Sequence, residues 1–582
     1  MAKGLRKWSQ VKRGVRSPAP SNAQLASGGL QRRVEALLGR MTLEEKVGQM
    51  DQIVVGRLRA ATDPGTGNCN GGNETELQES CLERVLVTYK VGSILSGGSD
   101  NPADNTGRGW ARLYNTVQRY AVEQSRLQIP LLFGFDVIHG YRTTMPIPLG
   151  MASSFDPALV EQAMHLAATE AAAEGIRWAF SPMVDIARDP RWGRVAEGSG
   201  EDPFLGAAMA RAYVRGYQGP SLSESTSVAA SVKHFAAYGA AEAGRDYNTV
   251  DMSEVSLRQV YLPPYQAAIE AGSATLMSAF NSLNGVPATA NAHLLTDILR
   301  EEWGFNGFVV SDWTAVAELK NHGIALDGPT AALKALSAGV DMDMESHLYA
   351  PELPRLVREG KLSQAVVDEA VRRVLRVKFA LGLFENPFVD EKAAAYVATP
   401  DKRELARRMA EESIVLLENK GGVLPLSPGR KVALVGPLAD APVDMLGTWN
   451  GKGDPQDAVT LRAALERRLR DTPGALRHAR GTDVLSADTS GFAQAVAAAK
   501  ASDVVIAALG EDTNMSGEAA SRTRLDLPGN QLQLLEALAA TGKPVVLIVF
   551  SGRPLALTDA QRHVTALVQA WQPGIEAGPA LA

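Results

Sequence analysis

Eight short apolar runs recur along the first part of the chain, each followed by helical periodicity. This alternation constrains the fold more than any other feature. The runs are "MDQIVV", "VGSILSGG", "IPLLFGFD", "WAFSPMVD", "VAASVKHF", "ATLMSAFN", "GFVVSD" and "AGVDMDME". They lie roughly 30–50 residues apart, the pitch of a strand plus a returning helix. A parallel neighbour can be reached only by such a crossover, so the pattern predicts a parallel sheet. Eight units suffice to close it into a (β/α)8 barrel. The first and last runs carry the least strand character.

The rest of the chain divides around that pattern. Residues 1–30 are basic and lack the apolar stretch of a secretory leader; they are expected to be a disordered tail. Residues 31–385 form the barrel unit. It opens with an amphipathic helix and a Thr42–Glu45 capping box, and it closes with the helical "SQAVVDEAVRRVLRVKFALGLF". Residues 386–405 lose periodicity, contain prolines and read as a linker. Residues 406–582 form a second unit with four buried-type runs, "KVALVG", "DVVIAALG", "PVVLIVF" and "TALVQAW". They predict an open layered α/β sheet. The sequence stops at "PGIEAGPALA", where further strands would follow, so this sheet is expected to be incomplete. An unpaired edge and exposed apolar surface would then lower its stability.

Several functional classes are excluded. Formal charge is −6, from 59 Lys and Arg against 65 Asp and Glu, without a basic stripe, so no nucleic-acid partner is expected. No run is long and apolar enough to cross a bilayer, so no membrane role is expected. Cys69 and Cys81 share one polar loop and form either a single staple or two free thiols. No His/Cys spacing suits zinc and no phosphate loop occurs, so neither metal nor cofactor is expected.

The chemistry gathers at the ends of the runs. Asp136, Asp185, Lys233 with His234, and Asp312 each fall there, on the edge where barrel enzymes build their sites. Any one of them could be a cap or a satisfied loop residue. Asp312 could cap the helix behind it and Trp313 could be core. Together they resemble a sugar site. A retaining glycosidase needs two carboxylates, one nucleophile and one acid/base. Asp312 on a rigid strand end suits the first role, with Trp313 as a wall. Arginines in "RDPRWGR" and the cation and imidazole of "KHF" can donate to sugar hydroxyls. Asp136 can accept from two hydroxyls.

The ordered motifs "LLFGFDVIHG", "SPMVDIARDPRWGRVAEGSGEDP", "VKHFAAYGAAEAGRDYNTVDMS", "NSLNGVPATAN", "GFVVSDWTAV" and "AGVDMDM" resemble glycoside hydrolase family 3, most of all its bacterial periplasmic β-glucosidases. The resemblance spans about residues 35 to 582. It implies a retaining exo-β-glucosidase acting on terminal β-glucosyl units, with Asp312 as nucleophile. Asp136, Arg194, Lys233 and His234 would hold the glucosyl unit, Met277 and Trp313 would line the pocket, and Asp246 would contribute from a variable loop. The acid/base of the family lies on the second domain, in the region "VVIAALGEDTNMSGEAASRTRLDLPG". Glu511, Asp512 and Glu518 are candidates, and "GEAASR" points to Glu518. Trp449 is a second aromatic platform or a core residue. The loop after "KH" has no second His, unlike the N-acetylglucosaminidase branch. The resemblance implies a periplasmic or secreted enzyme, although no leader is visible. Alternatives are a β-xylosidase or other exo-glycosidase of this fold, and a sugar-binding protein inactivated by its shortened end. Oligomeric state is not legible.

Overall fold

The structure is a computed structural model that describes residues 24–59, 69, 76–96 and 101–582. Most of the basic tail therefore lies outside the described residues. Helix Gly28–Leu38 begins within its last residues, where the Ser27 hydroxyl accepts from Leu30 N. The capping box forms as expected: Glu45 N donates to Thr42 Oγ1 at 3.2 Å and Thr42 N to Glu45 Oε2 at 2.8 Å.

All eight runs become strands. They are β1 Asp51–Val54, β2 Ser93–Leu95, β3 Leu132–Phe135, β4 Trp178–Ala179, β5 Ala229–Phe235, β6 Thr275–Ser278, β7 Phe308–Val310 and β8 Asp343–Met344. From β1 to β7 each pairs in parallel with the next, and β8 pairs with β1 through Asp51 opposite Asp343. Between β7 and β8 the ring is joined by one parallel bridge, Val310 to Met342. Helices such as Gly107–Gln124, Pro157–Ala173 and Pro203–Gln218 run between strands on the outside.

The barrel is filled rather than hollow. Trp178 sits fully buried with its ring 4.8 Å from Phe180 and 5.0 Å from Phe308, both edge-on. Its indole N–H donates to Thr275 Oγ1 at 2.8 Å, so the polar atom of this large side chain is satisfied inside the core. This plug supports whatever binds above it, at the C-terminal ends of the strands.

The second domain has six strands: β9 Val415–Asn419, β10 Val432–Val435, β11 Leu476–Ala479, β12 Val504–Gly510, β13 Val545–Phe550 and β14 Ala566–Gln569. Their order is β9-β14-β13-β12-β10-β11, and only β9 runs antiparallel to its neighbour. Alternate residues face opposite layers: Ala433 and Val435 join one apolar cluster, Val432 and Leu434 the other. Helix Pro400–Ser413 starts inside the segment read as a linker and leads directly into β9.

The expected unpaired edge at the end of this sheet is corrected here. The last strand in sequence, β14, is an interior strand held on one side by β13 and on the other by β9. Two strands were absent from the sequence reading because both are edges. In β9, Leu416 and Leu417 are half exposed, and β11 reads "LRHA", so neither shows a buried run. The edge on that side is instead β9, whose Leu416 and Leu417 are about half exposed.

Candidate active site

A cavity of about 540 Å³ opens where the C-terminal ends of the barrel strands meet the second domain. Its wall carries Asp136, Arg194, Lys233, Met277, Asp312, Trp313, Trp449 and Glu518. These are eight of the ten residues singled out from sequence. Phe180, Leu95 and Met344 line it from the barrel side.

Asp312 follows β7 by two residues. It does not cap the next helix: the cap position of Ala315–Glu318 is Thr314, which turns the chain at φ +54° and makes no side-chain cap bond. One carboxylate oxygen, Oδ1, accepts from Trp313 N at 2.7 Å, while Oδ2 is buried without a hydrogen-bond partner. Trp313 is not core either, being 43% exposed on the rim. Burial pushes the Asp312 carboxyl up to about 7; the Arg194 cation opposes this, the Glu518 charge adds to it and Lys233 opposes it.

His234 lies beneath Asp312 rather than on the wall. Its Nδ1 meets Asp185 Oδ2 at 2.9 Å, and its Nε2 lies 3.6 Å from Asp312 Oδ2, otherwise unpartnered. Burial, then the charges of Arg194 and Lys233, hold the imidazole well below its ordinary pKa. A neutral ring beside a carboxylate keeps its proton on Nδ1, which leaves Nε2 as an acceptor. Two buried acceptors therefore stand 3.6 Å apart, each without a donor. Asp185 is a fixed anchor: it also accepts from His234 N at 3.0 Å, Tyr238 N at 3.2 Å and the Tyr265 hydroxyl at 2.7 Å.

Two cations complete this side. Lys233 Nζ donates to Asp136 Oδ1 at 2.8 Å and lies 5.6 Å from the centre of the Trp449 ring. Arg194, almost fully buried, makes a two-pronged bond to Glu197 at 2.9 and 3.0 Å and approaches Glu518 Oε1 at 3.5 Å. Glu197 also accepts from Trp449 Nε1 at 3.2 Å, so one carboxylate orients both a cation from the barrel and an indole from the second domain. Sequence reasoning missed Glu197; the signal was its position three residues after Arg194 in "RVAE".

Two loops of the second domain reach the cavity. Trp449, at φ +53°, is held by its neighbours: Thr448 O lies 2.7 Å from His139 Nε2, and Lys452 N donates to Tyr141 O at 2.7 Å. The loop after β12 carries Glu518. Of the three carboxylates considered there, Glu511 is fully buried between Arg522 and Arg553, and Asp512 accepts from Asn514 N at 2.9 Å. Glu518 alone of the three lines the cavity, and its Oε1 accepts from the Tyr247 hydroxyl at 2.7 Å. Tyr247 and Phe280, packed edge-on at 5.3 Å, extend the aromatic rim and were also missed.

Asp246 is the remaining predicted residue, and it is not on the cavity wall. Its Oδ1 accepts from Trp192 Nε1 at 2.8 Å, Tyr238 OH at 2.5 Å and Tyr247 N at 3.1 Å, and its Oδ2 from Ala519 N at 2.8 Å. Among the described residues no cluster of three or more His, Cys, Asp or Glu side chains could hold a metal.

A barrel top that presents carboxylates, a buried arginine, a lysine and indoles around one cavity defines a carbohydrate-processing site. The sequence comparisons agree. The glycosyl hydrolase family 3 N-terminal domain matches residues 42–377 and the family 3 C-terminal domain residues 414–582. The chain belongs to glycoside hydrolase family 3. It is 42% identical over 547 residues to a periplasmic beta-glucosidase of Salmonella typhimurium, covering 86% of this chain and 71% of the relative. A beta-xylosidase of Formosa agariphila is 35% identical over 490 residues, 79% of this chain and 68% of its own length. Among solved structures, a Listeria innocua beta-glucosidase in complex with glucose superposes with a TM-score of 0.85. It shares 42% identity and covers 95% of this chain and 74% of its own.

Proposed function

We propose that this chain is a retaining, exo-acting β-glucosidase that removes terminal non-reducing β-D-glucosyl units. One observation carries the reading: the free Asp312 Oδ2 shares a cavity with Glu518, a carboxylate delivered from the other domain. In the first step Asp312 Oδ2 attacks the anomeric carbon as the glycosidic C–O bond breaks. Glu518, protonated, gives its proton to the leaving oxygen. In the second step the Glu518 carboxylate takes a proton from water, which attacks the same carbon and frees Asp312. Two inversions leave a β-configured product.

Asp136, Arg194, Lys233 and His234 hold the glucosyl hydroxyls in this reading. The aromatic rim of Trp313 and Trp449 suits the apolar faces of sugar rings. The beta-glucosidase relatives from Salmonella and Listeria support glucose as the cleaved unit. The Formosa beta-xylosidase supports xylose as a second reading, separable by competition between nitrophenyl glucoside and nitrophenyl xyloside. An oxidising compartment, the periplasm or outside the cell, suits the disulfide that joins Cys69 and Cys81 and the periplasmic location of the Salmonella relative. No helix among the described residues is long and apolar enough to cross a membrane.

The test is trapping with an activated 2-deoxy-2-fluoro-β-glucoside and mass spectrometry of the peptides. A fluoroglucosyl adduct on the peptide containing Asp312 is expected. A folded protein that turns over nitrophenyl glucoside without that adduct would sink the assignment of Asp312.

A further inference from the structure

The Glu518 loop is gripped by the barrel at points that no assigned role explains, and Asp246 is the centre of that grip. Beyond its three barrel donors on Oδ1, Asp246 uses both its Oδ2 and its backbone on the second domain. Oδ2 accepts from Ala519 N, the residue after Glu518, at 2.8 Å, and Asp246 N donates to Ser521 Oγ at 3.0 Å. Ser521 Oγ in turn donates to Gly244 O at 2.9 Å. Flanking contacts run the same way: Gly517 N to Gly193 O at 2.8 Å, and Arg522 N to Arg191 O at 3.0 Å. The approach is close enough that a Cβ on Gly193 would lie 2.2 Å from Gly517 O.

We propose that Asp246 is a positioning residue for the acid/base: its carboxylate, bonded to the Ala519 amide, fixes where the Glu518 carboxyl stands relative to the bound glycoside. Asp246 touches no reacting atom. It acts through the backbone next to Glu518, while its neighbour Tyr247 bonds the Glu518 carboxylate itself. The inference rests on the assignment of Glu518 as acid/base.

The two oxygens of Asp246 divide the labour, so one substitution can separate them. In Asp246→Asn the amide oxygen must stay at the Oδ1 position, since the Trp192 indole and the Tyr247 amide are obligate donors there. The amide nitrogen then faces Ala519 N–H, donor against donor. Barrel contacts survive and the loop contact is lost. Ser521→Ala removes the second contact from the other side, at an exposed position. It stands in if Asp246→Asn fails to fold.

The assay compares two glucosides. Laminaribiose has a poor leaving group that needs a proton, whereas 2,4-dinitrophenyl β-glucoside departs without one. A carboxyl displaced by about 1 Å costs roughly 100-fold in rate. For Asp246→Asn, kcat/KM on laminaribiose is expected to fall by about that factor, with less than about a threefold change on the dinitrophenyl substrate. On the dinitrophenyl substrate kcat, now limited by base-assisted release of the Asp312 adduct, should fall while kcat/KM does not, and azide, which needs no general base, should restore that kcat and yield β-glucosyl azide. Equal losses on both substrates, or no loss on either, would overturn the proposal, because a generally loosened fold does not sort substrates by leaving group. Glu518→Ala run in parallel separates the two readings. If it too lacks leaving-group dependence and azide rescue, the acid/base assignment fails and this inference with it. If Glu518→Ala shows both and the Asp246 and Ser521 variants show neither, only the positioning role fails.

Discussion

Replacing Asp312 by Asn should stabilise the protein at alkaline pH while abolishing turnover. Asp312 is 8% exposed, and its folded-state pKa is raised from 3.8 to about 7, chiefly by burial. A carboxyl raised in this way costs stability wherever it is ionised in the folded state. The cost is full above the folded pKa, shrinks as pH falls, and vanishes below the unfolded value. Three units at 1.36 kcal/mol each set it at ~4 kcal/mol above about pH 7. At pH 5 the same arithmetic leaves ~1–2 kcal/mol, and near pH 3 nothing. Asn is nearly isosteric, can still accept from Trp313 N, and presents an amide donor toward the unpartnered His234 Nε2. That added contact does not depend on the ionisation of Asp312, so it offsets all pH values alike.

The assay is urea unfolding of wild type and Asp312→Asn at pH 8, 6.5 and 5, followed by tryptophan fluorescence and read as the difference in stability at matched slope. The variant should be more stable at pH 8, with an advantage that narrows by about 2–3 kcal/mol on going to pH 5. A difference that does not change with pH would refute the reasoning. It would mean that Arg194 and Lys233 hold Asp312 ionised at little cost, so that the site stores no strain in its nucleophile.

Two further outcomes follow from the same geometry. With 2,4-dinitrophenyl β-glucoside, whose departure needs no acid, kcat/KM should rise with pH about a midpoint near 7 as Asp312 ionises; an acidic midpoint near 4 would contradict the burial of this carboxyl. Arg553, fully buried, donates to Pro190 O and Arg191 O of the barrel at 2.9 Å each, to Ala520 O at 2.7 Å and to Met515 O, and pairs with Glu511. Arg553→Met should therefore destabilise the second domain by ~3–5 kcal/mol in urea unfolding, and a change under 1 kcal/mol would show that water replaces the guanidinium.

What the sequence made legible was set by local pattern. Barrel strands such as β3 and β7 are buried throughout, so they leave apolar runs, and the polar residue that follows each marks the functional edge. Asp136, Lys233 and Asp312 could be read that way. Edge strands obey a different rule. Leu416 and Leu417 in β9 and Arg477 and His478 in β11 face partly outward, so the runs break and the sheet looks shorter than it is. Glu197 was missed for another reason: its i,i+3 spacing from Arg194 is a weak local mark, and its role comes from meeting both Arg194 and Trp449 in space.

The seam between the domains is where sequence reasoning had least purchase, and it is where Trp449 and Glu518 join the barrel residues of the cavity. Arg553 and Pro190 are 363 residues apart, and Asp246 and Ala519 are 273 apart, so no periodicity or spacing relates them. Yet the chemistry demands such contacts. A general acid on a free loop would have to be ordered at each turnover, and that entropy would fall on the barrier. Here the loop with Glu518 hydrogen-bonds through its backbone to barrel residues 191, 193 and 246. Much of its order is therefore supplied by the barrel, the domain that carries Asp312. The two carboxylates belong to different folding units but share one local frame, and relative motion of the domains is resisted where a displacement of an ångström would matter most.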